Sequence, residues 1–267
     1  MHLVEKFEEL RRREEVALMP YICLGYPNIK STFSLVDAVV KGGADILELG
    51  LAFSDPIADG RSIQLATQKA LEDGITTEKY FEMAERIATT YPSIALVAMT
   101  YYNLPFRYGL AKFCERCNRS GISGIIVPDL PVEESEELRK FCSKYDLALV
   151  PLVAPTTTLP RLRKILKEAC GFVYLISVRG VTGAREKLPD EVRELVRRVK
   201  SNTSLPICLG FGIKSPKQVA QAVEWGVDGV IVGSAIVDIV ENSNSENAEK
   251  KVGSFIRELK NRCYKFE

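Results

Sequence analysis

The chain has 267 residues, 46% of them hydrophobic and 27% charged, with a net charge of +1. That is ordinary composition for a soluble globular protein, and so even a charge balance leaves no clustered excess of Lys and Arg to hold a nucleic acid. The longest apolar stretches, such as Gly229 to Val240, are broken by Asp238 and fall short of the roughly 20 residues a membrane span needs, so no membrane partner is expected either.

The first segment, through Glu15, is charged throughout and has no apolar core of the signal-peptide kind. Within it Leu3, Phe7 and Leu10 share one helical face, which predicts a helix lying across the bottom of the fold. Eight short β-branched runs then alternate with helical patterns: Leu18 to Leu24, Ile46 to Leu49, Ile94 to Met99, Gly124 to Val127, Ala148 to Val153, Phe172 to Ile176, Ile207 to Leu209 and Gly229 to Val232. Strand and helix in regular alternation predict a parallel sheet. No Pro/Ser-rich linker separates the units and no GxGxxG follows the first run, so a closed (β/α)8 TIM barrel with an extra N-terminal helix fits better than an open doubly wound sheet. Such a barrel takes roughly 250 residues, and residues 1–267 are read as one barrel domain. Three helix-to-strand joints repeat a design, Gly42-Gly43-Ala44-Asp45, Gly121-Ile122-Ser123-Gly124 and Gly226-Val227-Asp228-Gly229, each with a C-capping glycine before a strand.

The second apolar run carries a glutamate. In a strand over Ile46 to Leu49, Glu48 shares a face with Ile46 and points into a core, with no Lys or Arg beside it in sequence to pair with. Ionised and unpaired, such a carboxylate costs several kcal/mol. The loop that follows, Gly50 to Gly60, holds Asp55 and Asp59 among turn-forming residues, and a carboxylate at a strand end before a carboxylate-bearing loop is a common way for a barrel to build a site. The other reading is a buried glutamate satisfied by a distant partner and aspartates that only shape turns. A second long connection, Ser177 to Asp190, has no apolar period of its own, and both long loops are candidate lids.

Toward the C-terminus, Gly210-Phe211-Gly212-Ile213 follows one strand and Gly233-Ser234-Ala235-Ile236 follows the next. Glycines there leave backbone N–H groups accessible, and a helix start directs partial positive charge at the same place, so the two turns together predict a phosphate cradle that needs no lysine.

His2 is the sole histidine, at the edge of the chain, which removes Ser-His-Asp triads and histidine metal sites together. Seven scattered cysteines are an odd number and read as free thiols of a reducing, cytoplasmic compartment. Cys114 and Cys117 have motif spacing but lie well inside a helical pattern, with no second Cys/His pair nearby, so packing explains them.

The segments Glu48-Leu49-Gly50, Phe53-Ser54-Asp55-Pro56, Ala58-Asp59-Gly60 and Ile63-Gln64 resemble the signature of the tryptophan synthase alpha subunit family. The likeness continues through Pro131 to Ser135, Gly180-Val181-Thr182-Gly183, Gly210 to Ile213 and Gly233-Ser234-Ala235, in family order from Pro20 to about Val240. The resemblance implies retro-aldol cleavage of indole-3-glycerol phosphate to indole and glyceraldehyde 3-phosphate. Indole leaves poorly until its C3 is protonated, so the reaction needs a proton donor at C3, an acceptor for the glycerol hydroxyl proton and a group that favours positive charge at N1–H. By resemblance Glu48 is the proton shuttle, and Asp59 is the carboxylate that accepts from the indole N–H. Tyr174 would line the site and Thr182 would meet Asp59 when the lid closes. Tyr21, Met99 and Phe211 would surround the indole ring, while Gly183, Gly212, Gly233 and Ser234 would hold the phosphate. The expected partner is a tryptophan synthase beta subunit, in an alpha2-beta2 heterotetramer. Pyridoxal phosphate is expected only in that subunit and no cofactor in this chain, since that cofactor requires a Schiff-base lysine.

Three positions depart from the family pattern. Ala52 and Arg61 flank the first long loop in place of prolines, on the side that in this family faces the beta subunit, and Cys23 stands where threonine is frequent. Cys23 also suggests an alternative, a phosphoribosylanthranilate isomerase-like barrel with a cysteine ending its first strand. Against it, Val153-Ala154-Pro155 offers no carboxylate acid and Glu48 would have no role. A Schiff-base aldolase lacks its strand-end lysine, and a non-catalytic phosphate-binding regulatory subunit would gain nothing from a costly buried carboxylate.

Overall fold

The alternating runs resolve, in a computed structural model that describes residues 1–176, 187–210, 212–243 and 245–264, into a (β/α)8 barrel. In chain order it runs α1 (Leu3–Arg12), β1 (Ala17–Cys23), α2 (Ile29–Lys41), β2 (Ile46–Gly50), α3 (Arg61–Glu72), α4 (Thr77–Thr90) and β3 (Ala95–Met99). Next come α5 (Asn103–Tyr108), α6 (Leu110–Arg119), β4 (Ile122–Ile126), α7 (Glu136–Lys144), β5 (Ala148–Val150), β6 (Leu152–Val153), α8 (Leu159–Lys167) and β7 (Val173–Ile176). The last part is α9 (Asp190–Lys200), β8 (Ile207–Gly210), α10 (Pro216–Glu224), β9 (Gly229–Val232), α11 (Ser234–Glu241) and α12 (Ser245–Lys260). Every pairing between these strands is parallel. Strands β1 to β4 are buried along their whole length, as parallel strands covered by helices on one face and barrel contents on the other must be.

Nine strands appear among the described residues where the sequence predicts eight, and Pro151 is the reason. The run Ala148 to Val153 is one barrel strand cut in two: Ala148–Val150 pairs with β4, and Leu152–Val153 pairs with β7. Proline has no N–H for the ladder, so the strand breaks there, although the Pro151 carbonyl still accepts from Tyr174 N–H at 3.0 Å. The sheet order β5-β4-β3-β2-β1-β9-β8-β7-β6 therefore begins and ends on the two halves of one strand, which closes the ring.

At the N-terminal ends of the strands, α1 lies where its apolar stripe predicts. Leu3, Phe7 and Leu10 are buried, Phe7 meets the Phe172 ring at 5.7 Å between centroids, and Leu3 packs against Gly124 and Gly171. The repeated joints carry a second device besides the glycine. Gly43, Gly121 and Gly226 adopt positive φ (+105°, +77° and +82°), which only glycine takes without strain. Two residues later a polar side chain stitches the joint to the neighbouring strand. Asp45 accepts Leu18 N–H at 2.8 Å, Asp228 accepts Ile207 N–H at 3.1 Å, and Ser123 donates to the Leu96 carbonyl at 3.2 Å, where the β3–β4 register shifts. Asp45 further binds Lys260 Nζ at 2.9 Å, and Lys260 reaches Glu15 at 2.8 Å, which fastens α12 under the barrel.

The cysteines are free. Cys114 and Cys117 are buried on the inner face of α6, and Cys114 Sγ lies 3.9 Å from Cys142 Sγ on α7. Among the described residues no helix is long and apolar enough to cross a membrane.

Candidate active site

Register decides which side chains share the barrel interior at its C-terminal end. Tyr21 is aligned with Glu48 and Glu48 with Val97; two residues on, Cys23 is aligned with Gly50 and Gly50 with Met99. Partners in register and residues two apart lie on one face of a parallel sheet, so Tyr21, Cys23, Glu48, Gly50 and Met99 face the same interior. Across the barrel, Tyr174 is aligned with Cys208 and Ile176 with Gly210. Two glycines make room for the tyrosines. A Cβ on Gly50 would collide with the Tyr21 hydroxyl, and one on Gly210 with that of Tyr174, so each phenol lies directly over a strand-ending glycine. Tyr21, Met99 and Tyr174 are all buried.

Glu48 is 1% exposed, and among the described residues its Oε2 has no hydrogen-bond partner. Burial, with the Asp59 charge adding to it, pushes its carboxyl up to about 8. At neutral pH Glu48 therefore holds a proton. Nothing in the strand satisfies this side chain, and among the described residues no distant group pairs with Oε2.

Asp59 sits in the loop between β2 and α3, half-buried, and partial burial raises it to about 6, with a hydrogen bond from the Tyr101 hydroxyl working the other way. The loop is held by several contacts. Ala58 N–H donates to Tyr101 Oη at 3.0 Å, Gln64 Nε2 donates to the Asp59 carbonyl at 2.9 Å, and Phe53 stacks on Tyr101 at 5.5 Å between centroids. Tyr101 is a site residue that the sequence reading misses. Its signal was available, an aromatic just beyond the end of β3 and two residues past Met99, but nothing in the linear pattern ties it to Ala58, 43 positions away.

The phosphate-end expectations fall partly within the described residues. Gly233 caps α11 and Ser234 is its first residue, so the N–H groups of Ser234 and Ala235 have no intrahelical acceptor by the geometry of any helix start. Gly212 is exposed with φ +104°, in the left-handed region, just past the end of β8. A Cβ on Gly233 would come to 3.2 Å from Tyr21 Cβ, so the start of α11 lies beside the Tyr21 wall of the interior. Thr182, Gly183 and Phe211 lie outside the described residues. Of the others, Glu48, Tyr21, Met99 and Tyr174 converge on one interior, Asp59 lies close enough to act on Glu48, Tyr21 and Tyr174 through its charge, and Gly212, Gly233 and Ser234 rim it.

Cys23 is buried, contacts Thr67 Oγ1 at 4.0 Å, and burial raises its thiol to about 12. It stays protonated, which removes the isomerase-type base that its position suggests. Among the described residues no group of His, Cys, Asp and Glu is placed to hold a metal ion.

A closed (β/α)8 barrel whose C-terminal mouth presents a buried glutamate and a more exposed aspartate of unlike proton affinity has the layout of an acid–base site. Residues 7–264 match the family model described as tryptophan synthase alpha chain. The tryptophan synthase alpha chain of Methanosarcina acetivorans is 50% identical over 256 residues, covering 96% of this chain and 92% of that one, and that of Methanocaldococcus jannaschii is 46% identical over 94% and 89%. Among solved structures, tryptophan synthase of Mycobacterium tuberculosis superposes with a TM-score of 0.90 at 33% identity over 99% of this chain and 98% of that one; the Legionella pneumophila alpha subunit gives 0.89 at 31% over 98% of each. The chain belongs to the tryptophan synthase alpha chain family, a family of indole-3-glycerol phosphate lyases.

Proposed function

We propose that Glu48 and Asp59 divide the cleavage of indole-3-glycerol phosphate between them. The observation that carries this is the Glu48 carboxyl, buried, raised to about 8 and left, among the described residues, with an unpartnered oxygen, facing the barrel mouth. Its proton goes to indole C3, which turns the ring into a leaving group. The resulting carboxylate then takes the glycerol hydroxyl proton as the carbon–carbon bond breaks, and Glu48 ends protonated as it began. Asp59, whose lower value keeps it ionised, accepts from the indole N–H and stabilises the positive charge that develops there. Tyr21, Met99 and Tyr174 provide the apolar walls, with Phe211 added by the family resemblance. Gly212, Gly233 and Ser234, together with Gly183, hold the phosphate through backbone N–H groups.

The chain works with a beta subunit, as its family name implies, and the assembly is read as an alpha2-beta2 heterotetramer. Ile57, 82% exposed in the Asp59 loop, and Phe106, 61% exposed on α5, are large apolar side chains left in solvent beside the barrel mouth, and they suit an interface that joins the two sites. The carbon–carbon cleavage needs only proton transfer from this chain's own residues, so pyridoxal phosphate is assigned to the beta subunit alone. The location is read as cytoplasmic, and the free, mostly buried thiols support that reading. Indole release from indole-3-glycerol phosphate by the isolated chain, with and without beta subunit, tests the activity and its coupling. Absence of indole under both conditions would overturn the assignment.

A further inference from the structure

The long connection between β2 and α3 carries Asp59, and the first turn of α11 carries Gly233 and Ser234. One side chain joins them. Asp238 stands one helical turn beyond Ser234, at the i+4 position on the same face of α11. Its Oδ1 accepts from Ser62 Oγ at 2.6 Å, and Ser62 is the second residue of α3, three positions after Asp59. Its Oδ2 faces Lys214 Nζ at 3.6 Å, and Lys214 follows Gly212 in the turn after β8. Three segments thus meet at one carboxylate: the two halves of the phosphate cradle and the helix start that anchors the catalytic loop.

Direct packing strengthens the same junction. Ile63 Cδ1 lies 3.5 Å from the point a Cβ on Gly233 would occupy, so the first turn of α3 already touches the cradle. A second contact farther along the two helices, Lys69 Nζ to Glu241 at 2.7 Å with the Tyr26 hydroxyl donating to the same carboxylate at 2.6 Å, keeps α3 and α11 from sliding past one another.

We propose that Asp238 is a positioning residue that couples the phosphate cradle to the Asp59 loop, so that occupancy of the cradle by a phosphate dianion fixes Asp59 for the reaction. An anion drawing the N–H groups of α11 and of the turn after β8 together brings Asp238 and Lys214 into register, and Asp238 then holds Ser62 and the start of α3. Gln64, from the same turn of α3, binds the Asp59 carbonyl, which completes the link to the catalytic carboxylate. This rests on the phosphate reading of the previous subsection.

The test separates the two claims. The full chain is assayed for indole release from indole-3-glycerol, the substrate without its phosphate, with and without inorganic phosphite dianion, and the readout is the ratio of the two rates in each variant. Wild type should be activated about five- to tenfold, the range of a modest coupling between sites. Asp238→Ala and Ser62→Ala should each abolish most of that activation. The double variant should lose no more than either single one, because both remove the same contact. Asp238→Asn, which keeps an acceptor for Ser62 but not the charge facing Lys214, should retain part of it. Competition of inorganic phosphate against indole-3-glycerol phosphate is measured alongside. If phosphate does not compete with wild type, the cradle itself is wrong and the coupling falls with it. If phosphate competes but phosphite fails to activate wild type, or activates Asp238→Ala as strongly, the cradle stands and the role of Asp238 is overturned.

Discussion

Asp45, just before β2, and Glu48, within it, are both shielded from solvent, yet they are partnered in opposite ways. At the bottom of the barrel Asp45 accepts Leu18 N–H and binds Lys260, which also reaches Glu15. Burial works against the Lys260 charge, but the attraction of Asp45 and Glu15 prevails and raises it above its ordinary range. At the top, Glu48 lies within electrostatic reach of tyrosines, a cysteine thiol and a second carboxylate, with Oε2 unpartnered among the described residues. A buried ion that is fully paired holds the fold together. One that is left unpaired stays protonated, at a cost in stability, and is available to move a proton.

The comparison breaks most visibly at its stable end. Lys260→Met leaves Asp45 and Glu15 together without a cation, and loss of one partner from such a buried cluster should destabilise the chain by about 3–5 kcal/mol. Activity per folded molecule at low temperature should be unchanged. Chemical denaturation read beside turnover checks both halves, and a variant as stable as wild type would show that Lys260 does not hold the cluster.

Glu48→Gln should do the reverse. Turnover should fall roughly a hundredfold or more with the Michaelis constant nearly kept, because an amide of the same shape cannot carry a proton. Stability should rise, by an amount that depends on pH. Burial lifts the folded-state value to about 8 from 4.5, so the cost of ionising Glu48 is absent below about pH 4.5, grows as pH rises and is complete above about 8. The advantage of Glu48→Gln over wild type should therefore widen across that window, to the order of a few kcal/mol. Denaturation curves at acid and alkaline pH that differ from wild type by a constant amount would place the Glu48 charge in contact with solvent or a cation.

Gly233→Val sharpens the contrast from the cradle side. The new side chain must displace Tyr21, whose Cβ would lie 3.2 Å away, and it stands where an anion approaches, so the Michaelis constant should rise about tenfold or more with a smaller change in turnover. An unchanged constant for substrate and for competing phosphate would sink the cradle.

The smallest effect belongs to Tyr101→Phe. It removes the acceptor of Ala58 N–H and the donor that holds Asp59 down, so turnover should fall several-fold, by about the worth of one hydrogen bond. For wild type, a protonated Glu48 and an ionised Asp59 predict a bell-shaped rate profile, rising through about pH 6 and falling through about 8. Without the Tyr101 hydroxyl the Asp59 carboxyl rises further, so the acid limb should move to higher pH while the alkaline limb stays. A profile that does not move would separate Tyr101 from Asp59.

Much of this was determined by the sequence alone. Strand positions, the glycine joints and the apolar stripe of α1 are local properties, set by side-chain period, backbone freedom and immediate neighbours, and each is found within a residue or two of its predicted place. Even the break at Pro151 was written in the chain, though only the pairing of β5 with β4 and β6 with β7 gives it meaning. Tertiary structure alone decided what depends on partners far apart in the chain. The identity of the group that holds the Asp59 loop, the choice of Lys260 as the counter-ion of Asp45 and the meeting of Ser62, Lys214 and Asp238 all require ring closure to bring distant segments within hydrogen-bonding reach. A one-dimensional pattern shows that a carboxylate has no cation beside it in sequence, but whether it has one in space is a property of the closed barrel.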